Sequence, residues 1–125
     1  MTSVSCLAKK DLSHANLATA DLHGADLHDA KLRHATLKET NLEEADLTDA
    51  DLSDANLGGA CLRNATAAHA NLEGADLRDT DLSGANLRGA RLSGAKLREH
   101  QRAEVASAGA NLDDARSEDT MSRVT

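Results

Sequence analysis

The sequence predicts an all-β solenoid, a chain that turns a corner every five residues and stacks its coils on one apolar core. Three observations predict it. Leu stands at position 7 and every fifth residue to 62, then again from 72 to 97, with Ala67 as the one substitute. Ala stands two residues before these centres from Ala15 to Ala95, with Thr40 and Thr80 as exceptions. Seven of the eight glycines (Gly24, Gly59, Gly74, Gly84, Gly89, Gly94 and Gly109) stand two residues after a centre position, a slot shared with Asp29, Asp49, Asp54, Asn64 and Asp79.

The period of five excludes the ordinary elements. On a helix, at about 100° per residue, leucines five apart walk around every face. On a flat strand an odd step sends successive leucines to opposite faces. Only regular corners keep every Leu inside, and Gly, Asn and Asp are the residues that tolerate tight-turn dihedrals or bond their own backbone. Internal repetition of this kind marks a solenoid, in which each unit buries its apolar side against its neighbours. The composition agrees, because a chain with no Phe, Tyr, Trp or Pro lacks the large side chains that dominate an ordinary globular core. Circular dichroism is expected to be β-type, although Ala and Leu favour helix on propensity alone.

Units such as Ala45-Asp46-Leu47-Thr48-Asp49 and Ala85-Asn86-Leu87-Arg88-Gly89 resemble the pentapeptide-repeat family, and the likeness runs in register from about residue 10 to residue 97. The resemblance implies a right-handed quadrilateral β-helix with four units per square coil. Four to five coils are expected, stacked at about 4.8 Å into a rod on the order of 20 Å long.

The ends depart from the pattern. Residues 1–6 lack the motif and read as a lead-in, and the solenoid proper is assigned to 7–97. From Arg98 the inward slots fail, with Arg102 and Ser107 where Leu belongs and His100 where Ala belongs. A buried unpaired Arg is costly, so 98–108 is expected to form a helical cap with Gly109 as its stop. Ala110 to Ala115 reads as one stray unit that either continues the solenoid after an insertion or packs on its end; it is counted with the cap region, 98–115, and 116–125 is expected to be a frayed tail. An open solenoid end is an exposed sheet edge. Relatives often dimerise through the C-terminal end, so Val105 and Leu112 are candidate dimer or cap contacts. Within the stack, Ala67 is expected to thin the core, and the Thr40 and Thr80 hydroxyls to bond backbone carbonyls inside the coil.

Function is then pushed to the outside. Asp and Glu number 21 against 14 Lys and Arg, a formal charge of −7, which argues against binding nucleic acid through its phosphates. Positions taken modulo twenty place Asp26 above Asp46 and Asp29 above Asp49. With Glu43, Glu44, Asp51 and Asp54, residues 41–60 hold six acids and no base. The candidate partner-binding ladder is therefore Asp26, Asp29, Asp46, Asp49, Asp51 and Asp54. Residues 88–102 are basic by contrast, with Arg88, Arg91, Lys96, Arg98 and Arg102 against Glu99.

No enzyme is expected, since an interior filled by Ala and Leu leaves no pocket for nucleophilic or acid–base chemistry. No cofactor is expected either. His14, His34 and Asp54 share a column, but three ligands in a line cannot surround a metal, so no metal site is assigned. Cys6 and Cys61 fall on different faces, beyond disulfide reach. No apolar run approaches a membrane span, and the first residues carry no hydrophobic stretch of the signal-peptide type, which predicts a cytoplasmic location.

The reading of function is a non-catalytic protein-interaction module, a rigid acidic rod acting as a regulator or scaffold. The alternative, implied by the quinolone-resistance branch of the family, is a DNA mimic that binds gyrase and protects it from a topoisomerase poison. Those relatives use aromatic centres that this chain lacks.

Overall fold

The computed structural model describes residues 6–111 and 116–117. Its backbone is organised by one rule: residue n pairs in parallel with residue n+20, as in Cys6 with Asp26, Asp26 with Asp46, and Asp51 with Asn71. Four five-residue units therefore make one turn of a square coil. Cys6, assigned above to the lead-in, already takes part in this pairing.

Within a unit, positions 1 to 5 can be followed in Ala45-Asp46-Leu47-Thr48-Asp49. The Asp46 N–H donates to Ala25 O in the coil before (2.9 Å), and the Leu47 N–H to Thr66 O in the coil after (2.6 Å). The Asp49 N–H donates to Ala68 O at 2.9 Å, and the Ala50 N–H closes the corner on Leu47 O at 3.0 Å. One donor of the five remains, the N–H of position 4. It is taken by a side chain: Thr48 N–H donates to Asp46 Oδ1 at 3.0 Å. The same bond recurs at Asp11, Asn16, Asp21, Asp26, Asn41, Asp51, Asn56, Asn71, Asp76, Asp81 and Asn86. Asp and Asn at position 2 thus complete the backbone's hydrogen bonding, the local Asx bond that suits these residues to turns.

Position 5 supplies the corner. It lies at positive φ in every unit from Lys9 to Gly94, at +70 for Gly24 and +61 for Asp49. That is the third residue of a type II turn, which demands a left-handed conformation. The slot also takes residues that sequence reasoning did not place there by preference, namely Lys9, His14, Thr19, His34, Glu39, Glu44 and His69.

The core is the leucine column with alanine spacers. Leu27 through Leu57 and Leu77 through Leu97 are buried, as are Ala67 and both threonines. The Thr40 hydroxyl donates to Leu17 O at 2.7 Å, and the Thr80 hydroxyl to Leu77 O. Leu7, Leu12 and Leu17 in the first coil are only partly buried.

The C-terminal end is closed by a helix. A two-residue strand β1 (Lys96–Leu97) leads into α1 (Glu99–Ser107). Two residues one turn apart, Gln101 and Val105, point onto the last coil and are buried. Gln101 brings its own hydrogen bonds: Nε2 donates to Leu77 O at 2.8 Å and to Thr80 Oγ1 at 3.3 Å, while Oε1 accepts the Arg98 N–H at 2.8 Å. The helix stops as expected. Gly109 (φ +97) follows the cap residue Ala108, its N–H donates to Ala106 O, and the Ala110 N–H reaches Val105 O. This pair of bonds is the Schellman arrangement.

Two expectations for this end are corrected, the dimer role of Val105 and the frayed tail at Arg116 and Ser117. Val105 is fully inaccessible (0 %) within its own chain, so of its two expected roles it fills the cap contact and not the dimer contact. Asn111 of the stray unit pairs in parallel with Arg91, in keeping with a unit that continues the solenoid after an insertion, and β2 (Arg116–Ser117) pairs with β1 in parallel, Arg116 against Lys96. Arg116 and Ser117 therefore belong to the sheet and not to a frayed tail. Leu112, the other candidate contact, lies outside the described residues.

Candidate partner-binding surface

The six candidate aspartates are fixed by backbone chemistry before they do anything else. Asp26, Asp46 and Asp51 occupy position 2, where Oδ1 holds the position 4 N–H. Asp29, Asp49 and Asp54 occupy the left-handed corners at φ of +59, +61 and +58. Asp26 and Asp46 stack directly, but that column continues into Thr66 and Asn86, while Asp51 sits between Lys31 and Asn71. The acids thus form a belt more than a ladder. Over residues 41–60 they run from Glu43 and Glu44 through Asp46 and Asp49 to Asp51 and Asp54, around three sides of one coil.

The fourth side is different. Gly58, the one glycine outside the corner slot, stands at position 4, where other coils place Lys38, Arg78 and Arg98. Its missing side chain opens a shallow groove of about 480 Å³ bordered by Lys38, Glu39, Asn56, Arg78, Asp79 and Arg98. Arg78 is clamped on Asp76 by two bonds (2.9 and 2.8 Å), and Arg98 reaches Asp79 at 3.3 Å. Sequence reasoning counted the seven corner glycines and passed over the eighth, which was the signal for this groove.

Histidines sit against carboxylates on the other faces. His28 Nδ1 meets Asp26 Oδ1 at 2.7 Å, His23 Nε2 meets Glu44 Oε1 at 3.0 Å, and His34 Nε2 lies 3.7 Å from Asp54 Oδ2. The hydrogen bond to Asp26 holds the His28 imidazole above its ordinary pKa, and the one to Glu44 does the same for His23. In return His28 lowers Asp26, Arg78 lowers Asp76, and the Ser83 hydroxyl and N–H lower Asp81. The His14 and His34 rings stack at 5.1 Å with 7° between their planes. Ring lone pairs lie in the ring plane, so two parallel rings aim side by side and cannot converge on one metal. Cys6 and Cys61 are both free. No helix among the described residues is long and apolar enough to cross a membrane.

A square coil of twenty residues, with Leu inside, Asx bonds on its sides and left-handed corners, defines a quadrilateral β-solenoid. The comparisons agree. The pentapeptide-repeat family model matches residues 5–33, 25–64 and 60–99 in eight copies, and the chain belongs to that family, whose members are right-handed quadrilateral β-helices. The structure is similar to the pentapeptide repeat protein Rfr23 from the cyanobacterium Cyanothece 51142, with 43 % identity, a TM-score of 0.54, and coverage of 68 % of this chain and 62 % of that one. The chain thus spans less than two thirds of that relative's length. A pentapeptide repeat protein from the Arabidopsis thaliana thylakoid lumen shares 32 % identity at a TM-score of 0.64, over 92 % of this chain and 85 % of that one. Trypsin-treated QnrB1, a plasmid-mediated fluoroquinolone resistance protein, is similar at 18 % identity and a TM-score of 0.40, over 90 % and 62 % of the two chains. No curated protein matches the sequence.

Proposed function

We propose that this chain is a non-catalytic interaction module in which a stiff square rod presents its acidic belt to a basic partner surface. The observation that carries the reading is the fixation of the belt. Each position 2 aspartate is tied through Oδ1 to its own backbone, and the backbone is tied to the coils on either side. Charges held this way lose little freedom on binding, which lowers the ordering cost of association, and a one-signed belt steers an oppositely charged partner. The grooves on the described surface are open and shallow, and among the described residues the belt carboxylates reach water, an arrangement that suits docking better than acid–base or nucleophilic chemistry.

The test is retention of proteins from native cytosol on the immobilised chain, against a variant with Asp26, Asp46, Asp49 and Asp51 changed to Asn. Binding partners held at low salt by the parent and released by the variant support the reading. Identical retention on both overturns it.

The gyrase-directed reading has less behind it. Duplex DNA carries a phosphate every ~3.4 Å along each strand, whereas the Asp26–Asp46 column turns neutral at Thr66 after two coils. A supercoiling assay with and without a fluoroquinolone separates the two readings, since a module that binds elsewhere leaves gyrase unaffected at micromolar protein.

A further inference from the structure

The square coil brings together a group that the linear sequence separates. Asp26 and Asp46 stand at position 2 of the same face in adjacent coils and pair through their backbones. His28, two residues after Asp26, projects from that face at position 4. One ligand atom from each of the three lies within 4.8 Å of the other two. His28 Nδ1 is already 2.7 Å from Asp26 Oδ1, so the two need to part only to roughly 3.4 Å to hold a tetrahedral ion whose ligands stand about 2.0–2.2 Å away.

From this geometry we propose that Asp26, His28 and Asp46 form a surface site for one divalent transition-metal ion of the zinc class. The ion replaces the proton shared between His28 Nδ1 and Asp26 Oδ1. The neutral imidazole binds through Nδ1 and keeps its proton on Nε2, Asp46 closes the third side, and water completes the shell. A set of one imidazole and two carboxylates favours zinc, cobalt or nickel over magnesium and calcium, which prefer all-oxygen shells.

Two further features fit a cation here. The face is rigid, because the Asp26 and Asp46 carboxylates are each anchored by a backbone N–H, of His28 and Thr48 respectively. The charges acting on His28 are also all negative, coming from Asp26, Asp29 and Asp46. The His14–His34 stack, by contrast, offers nitrogens that point in parallel and makes a natural control.

The experiment is calorimetric titration of the untagged full chain with Zn²⁺, and separately Co²⁺, at about pH 8, where imidazole is neutral. One saturable site is expected. His28→Gln, Asp26→Asn and Asp46→Asn should each weaken it about tenfold or more, while the double variant His14→Asn, His34→Asn should leave it intact. The Asn variants keep the Oδ1 that the backbone needs, and His28 faces outward, so all are expected to fold and melt cooperatively, Asp26→Asn and His28→Gln losing only their own ion pair. Millimolar Mg²⁺ should not compete. A measurement on the parent protein alone accompanies these: amide signals broadened by substoichiometric Co²⁺ should centre on 26–29 and 46–48. Absence of saturable binding, binding indifferent to His28→Gln and Asp46→Asn, equal competition by Mg²⁺, or broadening centred elsewhere would each overturn the site.

Discussion

Ala67 is the one small residue in the leucine column, and Ala67→Leu measures whether the coil keeps its shape without a full-sized core residue. The backbone around it is undistorted. Leu47 N–H to Thr66 O is 2.6 Å and Ala67 N–H to Asn86 O is 2.7 Å, against 2.7 and 2.8 Å for the same bonds at Leu52 and Leu57. The coils have not closed on the smaller side chain, and Leu47 and Leu87 remain above and below it at 0 % and 1 % exposure. Restoring Leu adds three carbons to this position. At about 0.8 kcal/mol per buried methylene, the gain is about 2 kcal/mol, or a rise of roughly 8 °C in Tm for a domain of this size. The assay is thermal unfolding followed by far-ultraviolet circular dichroism, with Leu47→Ala as the reverse control, expected to cost about 2–5 kcal/mol. A fall in Tm for Ala67→Leu would refute the reasoning, since overpacking of that kind means the neighbours have already filled the space.

The corner geometry predicts a contrast between two glycines. At Gly94 (φ +72) an added Cβ meets nothing closer than 3.8 Å, so Gly94→Ala should cost only the left-handed penalty of about 1 kcal/mol in chemical denaturation. At Gly109 (φ +97) the same Cβ would lie 3.0 Å from Arg88 Cα, so Gly109→Ala should cost clearly more and fray α1. Stability should also respond to pH through His23. Its folded pKa is raised above 6.5 by Glu44, so its contribution is complete below pH 6.5 and fades as pH rises through the folded value. The parent should therefore lose stability relative to Glu44→Gln across that window, and parallel curves would show that the pair does nothing. At the acid end, Asp11, Asp26, Asp76 and Asp81 have pKa values held below 3.8. Their contribution is present above that pH and is lost as pH falls through the lowered values, which guanidinium melts between about pH 5 and pH 2 should show.

The leucine period made the coil legible, because only a corner every fifth residue keeps those side chains inside. Gly109 made the helix stop legible for the same local reason, a left-handed residue after the last turn. What stayed hidden depended on contacts across coils. Asp and Asn at position 2 were visible as a preference, but their bond to the position 4 N–H follows only once the other four donors are assigned to neighbouring coils. Val105 read as a spare apolar residue because its burial depends on how α1 folds over the last coil. Seven of the corner residues at positive φ are Lys, His, Thr or Glu, which tertiary packing imposes against local preference. The meeting of His28 with Asp46 needed the twenty-residue stack itself.

The central claim is that the acidic belt binds a partner by charge held on a fixed frame, and one substitution set isolates charge from frame. Asn at 26, 46 and 51 keeps the Oδ1 acceptor, and Asn at 49 suits the left-handed corner, so the four Asp→Asn changes remove four charges and leave the coil intact. The account predicts a cooperative melt that gives up only the Asp26–His28 pair, together with loss of salt-sensitive partner retention. Full retention by a variant that still melts cooperatively would contradict it.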